Sequence, residues 1–546
     1  MHVRRINSES GFTMIATVTG LALIAMITLG AVAAVNGDIG MTRGNLDRRQ
    51  AYEAAKAGVS EYAFHLNDDN SYWMNCTDVP EPNALNPLGK TDKRRPVPGQ
   101  TGATYAVELL PSETQKTYAE CSKANPELSM LESSGALRGT FRIRATGFAG
   151  DSKVAIVVTF RPVTFLDYVY FTQRETSDPA SYGFGNPSAQ LTGANSQCGK
   201  TLQERDLAGN VLPLSSAGRN SAPIPSAGSK YCNVISFVNG DSLNGPVHTN
   251  DAFAICNNPK FGRSINDSIE VSALPPGWYS TKNVNKSGSS CSGNPNFVGT
   301  FRTNAPVITP PPTNSELKKI AEAPFKFKGQ VRICLSGTSM TVGKTGTCTG
   351  LYSGPIPANG VVYVESESCP TSYSPFTATY PATSGCGNAY IHGNYSGQLT
   401  VAAENDIVID EDLIRSGENA VLGLIANNFV RIYHHFPSEV INPSTYEPEC
   451  KSGTETGLGN VTVDAAILAI NHSFTVDHYD CGNSQGTLTV RGAIAQKFRG
   501  AVGTTGGDTG YLKSYNYDDR LRFLSPPSFI KPEESVDWTI GRETIE

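Results

Sequence analysis

Residues able to do chemistry are few and scattered along this chain. Gly245-Pro246-Val247-His248-Thr249-Asn250-Asp251 sets an imidazole three residues before a carboxylate, which is the material of an acid–base pair or of two metal ligands. No nucleophile in a recognisable elbow accompanies it, so the plainer reading, a turn whose histidine hydrogen-bonds the backbone, carries more weight. His434 and His435 are adjacent, so on a strand they point to opposite faces, and no HExxH pattern surrounds them. His472 and His478 share a face by parity but stand about 20 Å apart when extended at ~3.3 Å per residue, too far for one ion. Acids gather at Glu404, Asp406, Asp410, Glu411 and Asp412. Paired acids serve polysaccharide cleavage and acidic corners can hold calcium, yet Asp410-Glu411-Asp412 lacks the spacing and glycine of a calcium loop. Corner groups that discourage edge pairing are the simpler reading. The glycine-rich stretch Gly503 to Gly510 around Asp508 lacks the Gly-Lys-Ser/Thr of a phosphate loop. No catalytic residue, metal or cofactor is assigned.

The other reactive set is the 12 cysteines: Cys76, Cys121, Cys198, Cys232, Cys256, Cys291, Cys334, Cys348, Cys369, Cys386, Cys450 and Cys481. Their number is even and no CxxC occurs, so neither a zinc knuckle nor a thioredoxin-type site is indicated. An oxidised, extracytoplasmic body follows. Sequence leaves connectivity open. Sequential pairing, Cys76 with Cys121 through to Cys450 with Cys481, is expected because each neighbouring pair brackets a Gly/Ser/Asn-rich loop.

These groups have to be carried by a largely β scaffold. Only 17% of the 546 residues are charged while glycines (53) and prolines (34) abound, a composition of turns and short strands rather than of helices or disorder. The net charge of −6 argues against a nucleic-acid partner. The exception is the N-terminus. Phe12 to Val35 is uncharged, and at ~1.5 Å per residue would span about 36 Å as a helix, enough for a bilayer core of about 30 Å. Beyond Gly37, Gly40 and Gly44, which should weaken the junction, Asp47 to Leu66 places Tyr52, Ala55, Val59, Tyr62, Ala63 and Leu66 on one stripe. The helical pattern stops at Asn67-Asp68-Asp69-Asn70. The basic run Lys93-Arg94-Arg95 reads as solvated loop surface. Strands then follow at Tyr105 to Leu110, around Phe141, Ile143 and Ala145, and at Val154 to Phe160, the last two joined through Gly150-Asp151 as an antiparallel hairpin.

Further on, Pro310-Pro311-Pro312 reads as a stiff strap, and Thr313-Asn314-Ser315-Glu316 as a capping box opening a helix through Ala323. Short apolar runs recur at Val361 to Glu365, Ala389 to His392, Leu399 to Ala402, Ile407 to Ile409, Val421 to Ala426, Val430 to Tyr433, Val461 to Ile470, Phe474 to Val476 and Leu488 to Ile494. Several end in Asn or Gly, as in GLIANN and LAINHS. Such runs fit the rungs of a parallel β-helix; with no strict period, a β-sandwich stays open as the alternative. Tyr511 to Trp538, with Tyr515, Tyr517, Phe523, Phe529 and Trp538, reads as an aromatic cap closing the core.

Two resemblances bear on these elements. A short charged leader with Arg4 and Arg5, ending in Gly11 and followed by Phe12 and an apolar helix, is similar to the start of type IV pilins, and the AYEAAKAGV segment resembles PilX-like minor pilins. That resemblance implies cleavage after Gly11 by a prepilin peptidase, N-methylation of Phe12, a stalk helix, a β head, and other pilin subunits and assembly machinery as partners. Ala16 stands where major pilins carry a glutamate, a departure that favours a tip or minor subunit. FLDYVYFT (165–172), GPVHTND (245–251), VLGLIANNFVRIY (421–433) and GAIAQKFRG (492–500) resemble segments of large pilin-like surface proteins, mostly from Gram-positive bacteria, with no established chemistry. The expected organisation is a leader (1–11), a transmembrane and amphipathic stalk (12–70), a pilin-like β region (71–165) and a large disulfide-bonded head (166–546). The chain is expected to be single-pass in the cytoplasmic membrane, to display its head outside for assembly, adhesion or contact with a surface ligand, and to have no enzymatic role. The rivals are an anchored carbohydrate-active enzyme and a plain exported binding protein.

Overall fold

A computed structural model describes residues 10–69, 72–76, 94–114, 116–132, 140–181, 235–280, 293–344, 346–369, 385–435, 439–441, 448–450, 455–504, 507–522, 524–532 and 538–545. The chain is mainly β with one long N-terminal helix, and it divides into two compact units. One comprises the described parts of Met1–Ser133, Gly139–Arg161 and Trp538–Glu546; the other is essentially Pro162–Asp537.

In the first unit, helix α1 (Ser10–Asp68) runs unbroken through Gly37, Gly40 and Gly44. Its later half buries Ala51, Ala54, Ala55, Val59, Tyr62 and Leu66 at offsets of three and four. They pack on an antiparallel sheet of strands β1 (Arg95–Pro96), β2 (Ala103–Leu110), β3 (Phe141–Ala149) and β4 (Ser152–Pro162), in that order. A two-residue turn at Gly150-Asp151 joins β3 to β4, with Gly150 at φ +52°, a conformation glycine adopts without penalty. Trp538–Ile545 adds a fifth strand beside β4, and its Trp538 ring meets Phe141 edge-on at 4.8 Å. The helix approaches the sheet most closely at Gly147, where a Cβ would lie 1.8 Å from the Ala51 carbonyl oxygen. The basic loop is not simply solvated. Register with Tyr105 turns Arg95 inward, where it is buried and meets Glu61 at 3.2 Å, while Arg94 lies 4.0 Å over the Phe148 ring.

The first half of α1 overturns an expectation. Among the described residues no helix is long and apolar enough to cross a membrane. Within that first half, the side chains from Ala16 to Leu29 are described, and they are exposed apart from half-buried Gly20. Threonines also interrupt it, Thr17, Thr19 and Thr28 returning their hydroxyls to the carbonyls of Met14, Ala16 and Ile24. The span from Phe12 to Val35, and with it the single-pass location in the cytoplasmic membrane, is therefore withdrawn. Arg4 and Arg5 of the leader lie outside the described residues, and Gly11 and Phe12 are described by their helical backbone alone.

In the second unit most strands pair in parallel. One ladder runs Lys326–Lys328, Val361–Glu365, Gln398–Ala403, Val421–Ala426, Ala466–Ala469, the later part of Ser484–Arg499, Tyr170–Ser177, Val247–Thr249, Ser268–Val271 and Thr300–Arg302. The second passes from Val331–Gly337 through Ala389–Tyr395 and Ile407–Arg415, and reaches Gly510–Tyr517, Ser242–Asn244 and Lys260–Phe261 by way of the earlier part of Ser484–Arg499. Inward Val, Ile, Leu, Ala and Phe side chains form one core. Spatial order departs from chain order. The longest strand, Ser484–Arg499, pairs with the first, Ile494 opposite Tyr170, so the early residues of the unit stack onto its late ones.

The price of this order is a long return from Thr300–Arg302 to Lys326–Lys328, and the proline strap supplies it. It is tied down rung by rung through asparagines. Asn250 donates to the Ile308 carbonyl at 2.7 Å, Asn471 to that of Pro312 at 3.4 Å, and Asn427 Oδ1 accepts from the Asn314 N–H at 2.8 Å. Asn314 in turn donates to the Ala403 and Ile425 carbonyls and accepts from the Tyr363 hydroxyl. Helix Ser315–Ile320 follows without the expected capping box, because the Asn314 side chain is committed to the rungs and Glu316 pairs with Lys319. Asn314→Ala is expected to cost about 2 kcal/mol by leaving two carbonyls and a hydroxyl unmatched. Urea unfolding measures this, and a loss under about 0.5 kcal/mol would mean the asparagine does not hold the strap.

The aromatic C-terminus is not one cap. Tyr511, Tyr515 and Tyr517 sit on a strand flanked on both sides by others, Phe529 joins the same core, and Trp538 belongs to the first unit; Phe523 lies outside the described residues. A cap would need the last strands at the end of the ladder, whereas the stacking order places them in its middle.

Candidate functional site

His248 and Asp251 do not pair. His248 is buried, with Nδ1 3.3 Å from Glu270 on the adjacent rung, Nε2 3.0 Å from Asn250 Oδ1, and its ring stacked on Phe171. Asp251 instead accepts from the backbone N–H groups of Glu175 and Ala252. His434 is likewise buried, between the Asp477 carbonyl and Glu455, both at 3.0 Å, while His435 makes a backbone bridge to Thr456. His472 meets Asp178 at 3.1 Å and stacks on Phe429. His248, His434 and His472 thus have separate side-chain partners, and His478 is buried apart from them.

The acids separate too. Glu404 accepts from the Ser366 N–H and Asp412 from that of Thr462, Glu411 is exposed, and Asp508 is exposed in its glycine loop. Asp406 is wholly buried and meets Arg431 at 3.1 Å; Arg431, also fully buried, meets Asp477 at 2.9 Å on its other side. Asp410 is held by Arg332 at 3.1 Å and His392 at 2.8 Å. Glu270, Arg332, Arg431 and Asp477 had not been singled out from sequence, although a lone arginine inside the apolar run VLGLIANNFVRIY was a usable signal. A corner ladder of amides stands nearby, Asn428 donating to Asn405 and Asn405 to Asn388 at 2.6 and 2.7 Å.

Bridges join Cys76 to Cys121, Cys334 to Cys348, Cys369 to Cys386 and Cys450 to Cys481, each a neighbour in sequence. Cys256 is also disulfide-bonded, whereas Cys198, Cys232 and Cys291 lie outside the described residues. His392 sits against the second bridge, Nε2 3.8 Å from Cys348 Sγ. Its hydrogen bond to Asp410 raises the imidazole above its ordinary value, against the opposing effect of burial. The folded state therefore binds this proton more tightly than the unfolded chain. The stabilisation is complete below pH roughly 6.5 and is lost as pH rises through the folded value. His392→Gln should flatten the pH dependence of stability across that window, measured as urea midpoints; an unchanged slope would assign it to other groups.

No family model and no curated protein matches this chain. Among solved structures it is similar to the competence-associated pilin ComZ from Thermus thermophilus, at 12% identity and a TM-score of 0.28 over 92% of this chain and 97% of that one. A likeness of that depth carries no argument about activity or partners.

Proposed function

We infer that the chain is a structural subunit of a type IV pilus or related surface filament. The observation that carries this is the division of α1. Its later half is covered by the chain's own sheet, while Met14, Leu21, Ile24, Met26 and Leu29 on the earlier half are 61–71% exposed. Surface like that is covered when like helices of neighbouring subunits pack against it. The Gly11-Phe12 junction and the resemblance to PilX-like minor pilins support cleavage by a prepilin peptidase and methylation of Phe12, and Ala16 supports a minor or tip position. The two ladders are read as stacked coils of a parallel β-solenoid displayed for assembly, adhesion or ligand contact.

No enzymatic role is assigned to it. Against the carbohydrate-active alternative stands the fact that Asp406 and Asp410, the acids that would have to work together, are each bound to a different arginine. Mass spectrometry of the mature N-terminus from intact cells, together with fractionation of sheared filaments, tests the reading. A methylated Phe12 start in the filament fraction is expected. A start at Ala34, as a signal peptidase cutting after Ala31-Val32-Ala33 would leave, or retention of the first eleven residues beside a working prepilin peptidase, would overturn it.

A further inference from the structure

The Cys334–Cys348 bridge lies against an imidazole that is itself held by a carboxylate. Strand register sets His392 directly beside Cys334, whose neighbour on the other side is Thr341. Cys348 returns to Cys334 just after the strand Ser339–Lys344. His392 Nε2 comes 3.8 Å from Cys348 Sγ, and the two sulfurs and the imidazole nitrogen all lie within 4.8 Å of one another. At the far side of the ring Nδ1 meets Asp410 Oδ1 at 2.8 Å, while Arg332 holds Asp410 Oδ2 at 3.1 Å. Arg332 also donates to the Gly346 carbonyl at 3.4 Å, in the loop that carries Cys348. The hydrogen bond to Asp410 favours the imidazolium against burial, with Glu411 adding to it and Arg332 opposing. The order is therefore sulfur, imidazolium, carboxylate.

A passive staple is the plain alternative, and a second bridge separates the two readings. At Cys450–Cys481 the neighbours are acceptors: the Asp480 carbonyl is 3.7 Å from Cys450 Sγ and its carboxylate 3.9 Å from Cys481 Sγ. Such groups oppose a thiolate, whereas a cation stabilises one and speeds its departure. Exposure ranks the bridges the other way, since Cys450 is exposed while Cys334 and Cys348 are half-buried. Access alone would make Cys450–Cys481 the first to open; local charge favours Cys334–Cys348. We propose that Cys334–Cys348 is a site of thiol–disulfide exchange, at which a low-molecular-weight thiol becomes joined to Cys334 while His392 holds the released Cys348 thiolate.

The step balances with that thiol as its only co-reactant. The incoming sulfur arrives as a thiolate, its proton already left in solvent, and its electron pair forms the new bond to Cys334 Sγ. The bond between the Cys334 and Cys348 sulfurs breaks, and its pair leaves on Cys348 Sγ. One disulfide replaces another, so nothing is oxidised or reduced overall. Charge developing on the leaving sulfur is met by the His392 Nε2–H, a donor in place before attack. The contact to Cys348 makes that sulfur the one that leaves, and so makes Cys334 the one that is attacked. Asp410 acts as a positioning residue, fixing the ring through Nδ1.

The test incubates the purified full-length chain, its bridges intact, with excess glutathione near neutral pH. Free thiols are trapped with N-ethylmaleimide at intervals and the chain is mapped by mass spectrometry without reduction. Glutathione on Cys334 together with alkylated Cys348 is expected roughly tenfold faster than any label at Cys450 or Cys481. His392→Gln and Asp410→Asn should remove that advantage and spread glutathione over both Cys334 and Cys348, with the rate at Cys450–Cys481 unchanged. Labelling of Cys450–Cys481 first or equally fast in the wild type, or glutathione found mainly on Cys348, would overturn the proposal. So would a folded His392→Gln protein that keeps the advantage. The order of opening and the choice of sulfur are both read in the wild type, so a variant that fails to fold leaves the test intact.

Discussion

Replacing Gly147 with alanine is expected to unseat α1 from its sheet. An added Cβ at this position would lie 1.8 Å from the Ala51 carbonyl oxygen and 2.5 Å from the Ala55 amide nitrogen. Both are backbone atoms of one helix, so no side chain can rotate away; helix and sheet must part together. Overpacking of a core costs typically 1–3 kcal/mol, and a clash with rigid backbone belongs at or above the top of that range, so we expect about 3 kcal/mol or more. Thermal melts followed by far-ultraviolet circular dichroism would show an early helical transition. Gly44→Ala is the matched control: nothing lies within 4 Å of that position, and alanine there should strengthen the helix by up to about 1 kcal/mol. If both variants melt alike, the close approach at Gly147 is not real.

The second large effect belongs to Arg431. Its guanidinium is completely buried between Asp406 and Asp477, so Arg431→Met leaves two carboxylates without their cation in a dry interior. Breaking such a group by removing one partner costs about 3–5 kcal/mol, more than the intact group contributes relative to an apolar replacement. The loss should depend on pH in a fixed direction. Burial already raises Asp477 above its ordinary value, and Arg431 is first among the groups that oppose this. Without that cation the folded state would bind protons still more tightly than the unfolded one, so protonation on acidification rescues it. Urea midpoints for the variant should therefore fall furthest below wild type at neutral pH and less so near pH roughly 4. An equal deficit at both values would mean the charges are compensated elsewhere.

Periodicity was the legible part of this chain. The stripe through Ala55, Val59, Tyr62 and Leu66 was visible because a helix lying on one sheet must repeat its apolar residues at three and four, and the run Val421–Ala426 was readable to the residue because its strand is apolar throughout. What escaped depends on pairing across long stretches of chain. Nothing near His248 marks Glu270 as its neighbour, since the two meet only when Val247–Thr249 and Ser268–Val271 align in register. Arg95 looked like a solvated charge because its burial follows from pairing with Tyr105. Three segments singled out for their wording, at 165–172, 245–251 and 492–500, supply neighbouring strands of one ladder, with Ile494 beside Tyr170 and Tyr170 beside Val247. Their shared location is tertiary information that no local pattern contains.

That arrangement bears on how the polypeptide comes to exist at all. Synthesis delivers Tyr170–Ser177 long before Ile494–Arg499, the segment on one of its flanks, so the opening portion of the second unit waits with one edge bare until about three hundred further residues, on the order of the separation between the paired segments, have been made. A message cut short ahead of residue 484 would leave that edge permanently open, a template for other chains. Such fragments should be recovered as insoluble aggregates or degradation products, not as a smaller folded body.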